Sequence, residues 1–237
     1  MPSEKCVIVI TGTSRGIGLG IAKHFLKKGY RVEGCSRGTS SIRDPSYEHA
    51  QLDVSDEEQV CSWIRGIKRR HKRIDVAINN AGSAPAAIPV IMTSKKVLND
   101  VLQTNTIGSC LVSREVALVM TPKKFGRIIN VSSMAVGLHE EGTAAYSASK
   151  NAIVEFTRIM AKELAPLGIT CNVIAPSMIK TQAVEDLGEK VIERALCKLT
   201  IKRTITIEEI CHVLDFLIDP LGGIITGQVI HMGLIQN

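Results

Sequence analysis

Aromatic residues are scarce in this chain. Phe, Trp and Tyr together make up 3% of its 237 residues. That shortage excludes the interleaved aromatic platforms on which single-stranded nucleic acids stack. It also leaves the core to Ile, Val, Leu and Ala, which suit parallel strands buried on both faces. Long apolar runs are missing too. No stretch approaches about 20 apolar residues, the length of a membrane-spanning helix. The opening "MPSEKCVIVITG" holds an apolar run too short for a signal peptide. A cytoplasmic protein with no membrane partner is the expectation.

Cysteine offers no framework. The seven are Cys6, Cys35, Cys61, Cys110, Cys171, Cys197 and Cys211: an odd number, irregularly spaced, with no CxxC. This argues against disulfides and against a zinc site, so no metal is expected and the thiols read as mostly buried and reduced. Acidic residues are the minority, 23 against 29 Lys and Arg, for a net charge of +6. The densest basic run, "RGIKRRHKR" from Arg65 to Arg73, reads as a solvated helix end whose cations complement the helix dipole. A docking patch for an acidic or phosphorylated ligand is the alternative. No nucleic-acid motif accompanies the charge, so nucleic acid is not an expected partner.

What the chain does have is alternation. "CVIVITG", "RVEGCS", "YEHAQLDV", "IDVAINNAG", "FGRIINVSS", "ITCNVIAP" and "GQVIHM" read as strands. Helical patterns separate most of them, among them "SDEEQVCSWIRGIKRRH" with a serine cap and acids in its first turn, and one long helix over "SKKVLNDVLQTNTIGSCLVSREVALVM". The pattern predicts an α/β fold with a doubly wound parallel sheet of about seven strands in three α/β/α layers. No linker divides residues 1–237, so one domain is expected. Residues 177–203 form a longer connection after a strand and are a candidate substrate lid.

Between the first strand and the first helix stands "TGTSRGIG", Thr11 to Gly18. Glycines there let the backbone turn tightly and approach a pyrophosphate lying at the helix N-terminus. Gly12, Thr13, Ser14, Arg15, Gly16, Ile17 and Gly18 are therefore candidate cofactor-binding residues. The spacing is GxxxGxG. Where NAD-binding chains carry an acid at the end of the second strand, this one has Ser36 followed by Arg37. Together with Arg15, that suits a 2′-phosphate, hence NADP(H) in preference to NAD(H). Glu33, the nearest acid, lies mid-strand and is expected to point elsewhere.

"TGTSRGIG", "NNAG", the lone Asn105 in the long helix, "NVSS" and "YSASK" occur in the order seen in short-chain dehydrogenases/reductases. The chain resembles that family over essentially its whole length, and within it the 3-oxoacyl-(acyl carrier protein) reductases of fatty acid biosynthesis and related NADPH carbonyl reductases. The resemblance implies a Rossmann-type fold, a homotetramer or homodimer, and a tetrad of Asn105, Ser133, Tyr146 and Lys150. It places Asp53 and Val54 beside the adenine. Asn80, Ala81 and Gly82 would border the nicotinamide side, and Pro176, Ser177, Ile179 and Thr181 would contact the nicotinamide. The family's Pro-Gly is Pro176-Ser177 here, and its Asp-Gly-Gly is Met232 to Leu234. The first change bears on the lid's exit angle, the second on the subunit interface.

Tyr146 and Lys150 are four apart, hence neighbours on one helix face. An ammonium beside a phenol favours tyrosinate and lowers the tyrosine pKa. Tyr146 could then hand a proton to a carbonyl oxygen while Ser133 hydrogen-bonds that oxygen. Lys150 would also hold the nicotinamide ribose, and Asn105 would kink its helix. The substrate is expected to be a ketone or an acyl thioester, possibly carried on acyl carrier protein. A secondary-alcohol dehydrogenase uses the same residues in reverse, and a non-catalytic dinucleotide sensor is the reading from another class. His139, Glu140 and Glu141 lie in the loop before Tyr146 and read as pocket-shaping rather than catalytic.

Overall fold

A computed structural model describes residues 6–179 and 189–233, and the structural statements that follow concern those residues. Seven strands form one parallel sheet in the order β3-β2-β1-β4-β5-β6-β7. They are β1 (Val7–Thr11), β2 (Arg31–Ser36), β3 (Tyr47–Gln51), β4 (Val76–Asn79), β5 (Gly126–Val131), β6 (Ile169–Pro176) and β7 (Val229–Met232). Side chains alternate across a strand, and β1 shows the consequence. Val7 and Val9 enter one core with Trp63, Ile67, Val116 and Ile128. Ile8 and Ile10 enter the other with Phe25, Ile78 and Leu214. The first core is roofed by α2 (Glu57–His71), α4 (Gly108–Met120) and α6 (Ala144–Leu164), the second by α1 (Gly16–Lys27) and α8 (Ile207–Ile218). No helix here is long and apolar enough to cross a membrane.

The strand order runs outward in both directions from β1 and β4. Consecutive crossovers therefore pass to opposite sides there, and a crevice opens at the carboxyl ends of those strands. The glycine turn, Asn80 to Gly82, Ser132 and Ser133, and Ser177 to Ile179 follow the carboxyl ends of β1, β4, β5 and β6.

Several expectations need correction. The helix cap of α2 is Asp56, whose side chain accepts from Gln59 N at 3.0 Å, and not Ser55. Ser55 donates instead to Asp53 Oδ1. The long helix is interrupted at Asn105, where a kink was expected, but as a π turn: α3 (Lys95–Leu102) passes through Gln103–Ile107 before α4 begins. A short α5 (Ala135–Leu138) stands between Ser133 and Tyr146, and α7 (Glu189–Leu196) lies within the expected lid. Only Cys35, Cys171 and Cys211 are buried; Cys6, Cys61 and Cys110 are half-buried and Cys197 is exposed.

The basic run closing α2 has internal work to do. Glu33 is 1% exposed, and Arg70 and His71 meet its carboxylate at 2.7 and 2.6 Å. Arg73 clasps Asp75 at 2.6 Å. Glu33 thus points to the helix layer, away from the end of β2 where a coenzyme acid would stand.

Candidate active site

The glycine turn follows β1 and is tied on both sides. Gly12 N and Thr13 N both donate to the Cys35 carbonyl, at 2.8 and 3.1 Å. On the other side Thr11 Oγ1 accepts from Asn80 N at 3.0 Å and Ala81 N at 2.9 Å. Asn80 Nδ2 donates back to the Thr11 carbonyl at 3.0 Å. Two glycines are indispensable here. Gly12 has φ +77°, and a Cβ on it would stand 2.9 Å from Asn80 Nδ2; a Cβ on Gly18 would collide with the Gly12 carbonyl oxygen. The backbone can thus close up at the N-terminus of α1, where partial positive charge suits a pyrophosphate.

The other expected cofactor residues divide by burial. Ser14 is half-buried, and Arg15, Gly16, Arg37 and Gly38 are exposed. Thr13 is fully buried, its hydroxyl faces β3 and its N–H is engaged by the Cys35 carbonyl, so it shapes the turn rather than turning a donor to a phosphate. Asp53 Oδ1 is engaged by Ser55 at 2.7 and 2.9 Å. Val54 is a core residue against which Gly108 packs without room for a Cβ.

A cavity of about 540 Å³ runs beneath these elements. Ile17, Asn80 and Gly82 line one side, Ser133, Tyr146 and Lys150 another, and Pro176, Ser177 and Ile179 a third. Ala81 packs against the core beside it. Thr181 lies outside the described residues, as do 180 and 182–188 of the expected lid. The lid's first residues are anchored: Ser177 N donates to the Met232 carbonyl at 2.9 Å, and Ile205 N to that of Met178 at 2.9 Å. The serine that replaces the family's glycine packs its hydroxyl 2.6 Å from where a Cβ on Gly233 would sit. Gly233, at φ +88°, is what admits it.

Two of the four tetrad positions, Lys150 and Asn105, are held by several hydrogen bonds each. Lys150 Nζ donates to the Val131 carbonyl at 2.8 Å. Its own carbonyl accepts from Ser132 Oγ at 3.0 Å. Asn105, fully buried in the π turn, donates from Nδ2 to Ser149 Oγ and to the Ser83 carbonyl, both at 2.9 Å, and accepts from Ser83 N at 2.7 Å. The wider π turn spends a residue to aim that amide into the crevice. A Cβ on Gly82 would stand 3.2 Å from Lys150 Nζ and 3.3 Å from Asn105 Oδ1, so both polar groups border one small space. Ser149 is not singled out by the sequence although it lies inside the YSASK motif, and Ser132 stands there only as the lesser alternative to Ser133.

The electrostatics differ from the expectation. Burial is the larger influence on Tyr146 and raises its pKa above the ordinary phenol value, with the Ser133 hydroxyl drawing it part-way back. Lys150 does not supply the expected lowering. Burial pulls the lysine down to about 8, and Nζ lies 6.0 Å from the tyrosine ring centroid.

The loop before α6 also reaches the lid. His139 is exposed, with φ 51°, at the end of α5. Glu140 meets Lys198, beyond α7, at 2.7 Å, so one acid at the cavity mouth carries its own counter-ion.

A family model described as enoyl-(acyl carrier protein) reductase matches residues 12–233. The chain is 32% identical over 238 residues to 3-oxoacyl-(acyl-carrier-protein) reductase FabG of Buchnera aphidicola subsp. Schizaphis graminum, covering 98% of this chain and 97% of that one. It is 29% identical over 238 residues to FabG of Escherichia coli strain K12, with the same coverage. Among solved structures it is similar to ElxO with NADP bound, at TM-score 0.90 and 30% identity over 96% of this chain and 97% of that one. A tyrosine-to-phenylalanine variant of ElxO with NADPH bound gives TM-score 0.89 at 30% identity, covering 96% of each chain.

Proposed function

The chain belongs to the short-chain dehydrogenase/reductase family of NAD(P)-dependent oxidoreductases, and from that premise we propose that it is an NADPH-dependent reductase of a ketone or 3-oxoacyl thioester. The convergence of Ser133, Tyr146 and Lys150 on one cavity that runs to the glycine turn carries this reading. NADP(H) fits the residues present: the turn lacks the Cβ atoms that would fill its cradle, and the end of β2 offers Ser36 and Arg37 with no carboxylate. The relatives named for 3-oxoacyl-(acyl-carrier-protein) reduction, and the neighbour with NADP bound, support the same choice.

Backbone N–H groups from Ser14 to Gly18, at the N-terminus of α1, would hold the pyrophosphate, in a turn that Gly12 and Thr13 fasten to Cys35, and Ser36 and Arg37 the 2′-phosphate. Asp53 and Val54 would border the adenine, and Asn80, Gly82, Pro176, Ser177, Ile179 and Thr181 the nicotinamide end. The bound coenzyme supplies a hydride. Tyr146, raised in pKa and so protonated at neutral pH, is the proton donor to the carbonyl oxygen. Ser133 donates a hydrogen bond to that oxygen and steadies its developing charge. Lys150, with Val131 as its fixed acceptor, holds the ribose hydroxyls and is the route by which Tyr146 is reprotonated. Asn105 keeps the lysine's surroundings in place through Ser83 and Ser149.

We place this activity in the cytoplasm, in a homotetramer or homodimer. Leu118 on α4 and Ile159 on α6, 62% and 52% exposed, support such an assembly. The substrate could arrive on acyl carrier protein. The test is oxidation of NADPH, and separately NADH, with acetoacetyl-CoA. Turnover with NADPH at least tenfold above NADH is expected. Binding of NADPH with no turnover moves the substrate to another ketone, and equal use of NADH removes the coenzyme argument.

A further inference from the structure

β3 is the edge strand beside β2, and Tyr47, His49 and Gln51 lie on one of its faces by the two-residue period. That face holds the end of β2. His49 Nε2 lies 2.9 Å from the Gly38 carbonyl oxygen and 3.2 Å from Ser36 Oγ. Its Nδ1 lies 2.8 Å from Tyr47 Oη, which shares a 2.8 Å hydrogen bond with Thr13 Oγ1 in the glycine turn. Gln51 Nε2 donates to the Arg37 carbonyl at 2.8 Å. The line of bonds thus runs from the pyrophosphate turn to the three residues where a 2′-phosphate would sit. The strands make room for it: a Cβ on Gly34 would collide with Tyr47 Oη and stand 2.6 Å from Thr13 Oγ1. A glycine inside a buried strand commonly marks such a close approach.

We propose that His49 is a positioning residue for coenzyme selectivity, holding Ser36, Arg37 and Gly38 in the arrangement that receives a 2′-phosphate; this rests on the NADP(H) reading above. A carbonyl oxygen only accepts, so the bond to Gly38 places the ring proton on Nε2. Nδ1 is then the acceptor for the Tyr47 hydroxyl. Ser36 Oγ also donates to the Gly38 carbonyl, at 2.8 Å. That carbonyl therefore has two donors, Ser36 and His49. When an anion arrives, the serine proton can turn to it while His49 keeps the Gly38 carbonyl satisfied. Without His49 the serine is the carbonyl's remaining side-chain donor among the described residues, so the Ser36–Gly38 turn loses its tie to β3 and the serine is no longer held ready to turn to the phosphate. A coenzyme lacking the 2′-phosphate never asks Ser36 to turn, so NADH binding does not depend on His49.

The experiment compares wild type, His49→Leu and His49→Gln by steady-state kinetics with NADPH and NADH. Calorimetric titration of adenosine 2′,5′-bisphosphate and of 5′-ADP is the readout independent of turnover. His49→Leu should raise the KM for NADPH and the Kd for the 2′,5′-bisphosphate about tenfold, the scale of one lost charge-assisted interaction. kcat, the KM for NADH and the Kd for 5′-ADP should stay within twofold. His49→Gln, which keeps an N–H donor, should recover most of the loss. Should His49→Leu fail to fold, Tyr47→Phe is the second variant and shifts the same ratio in the same direction by a smaller factor. Equal weakening of both ligands, or no weakening of either, overturns the proposal. A wild-type protein that binds the two equally overturns the NADP(H) reading itself, which separates the two failures.

Discussion

Lys150 Nζ donates to the carbonyl oxygen of Val131 at 2.8 Å, joining the middle of α6 to the last residue of β5. The bond gives a buried ammonium a fixed partner but does not repay the whole cost of removing it from water, and the lysine's pKa falls to about 8.

The first prediction concerns stability against pH. Lys150 releases its proton near pH 8 in the folded chain and near 10.5 in the unfolded one. Between those values the unfolded state binds more protons, so stability rises with pH across that window, and the full penalty is present below it. The offset corresponds to about 3 kcal/mol. Lys150→Met should therefore be more stable than wild type at pH 7, should lack the rise between pH 8 and 10.5, and should be inactive. Urea unfolding at pH 7 and pH 10 in both proteins checks it.

Removing the amide of the π turn should loosen the site without emptying it. Asn105→Ala takes the partner from Ser83 N and the Ser83 carbonyl and one donor from Ser149 Oγ, which keeps its bond to the Tyr146 carbonyl, and costs about 1–3 kcal/mol. Since Ser149 precedes Lys150, kcat should fall at least tenfold while the Kd for NADPH changes less than threefold. A denaturant midpoint and a kcat–KM comparison give both numbers. An unchanged kcat would confine Asn105 to a structural role.

The basic end of α2 offers a third test. Replacing both Arg70 and His71 with Ala leaves the buried Glu33 carboxylate without its two partners. A loss of about 3 kcal/mol is expected, typical of a buried charge left unpaired, with KM values unchanged. A shift in KM for the substrate and little loss of stability would favour the docking reading of that run.

Much of the molecule was legible in its sequence, for identifiable reasons. All seven strands were read, the inner ones because parallel strands buried on both faces are short apolar runs bounded by turns, as in "CVIVITG" and "ITCNVIAP". The tetrad candidates stand out because each sits in a compact motif, and the structure brings Ser133, Tyr146 and Lys150 to one cavity with Asn105 beside it. What escaped was set by side-chain geometry across the sheet. The motif hides the π turn because QTNTI has ordinary helical composition; only the buried amide shows why the extra residue is there. Tyr47 and His49 look like any polar edge strand until the register places His49 opposite Gly34. The pKa of Tyr146 was misjudged because spacing gives the neighbour on a helix face but not the depth of burial.

Tyr146 is the proton donor of the proposed reaction, and Tyr146→Phe is the variant to measure. It keeps the ring and the cavity wall and removes only the hydroxyl. A fall in kcat of about 10³-fold or more, with the Kd for NADPH within threefold of wild type, is the predicted result, in keeping with the size of general acid catalysis. Retention of more than a tenth of the wild-type kcat with saturating NADPH would contradict it.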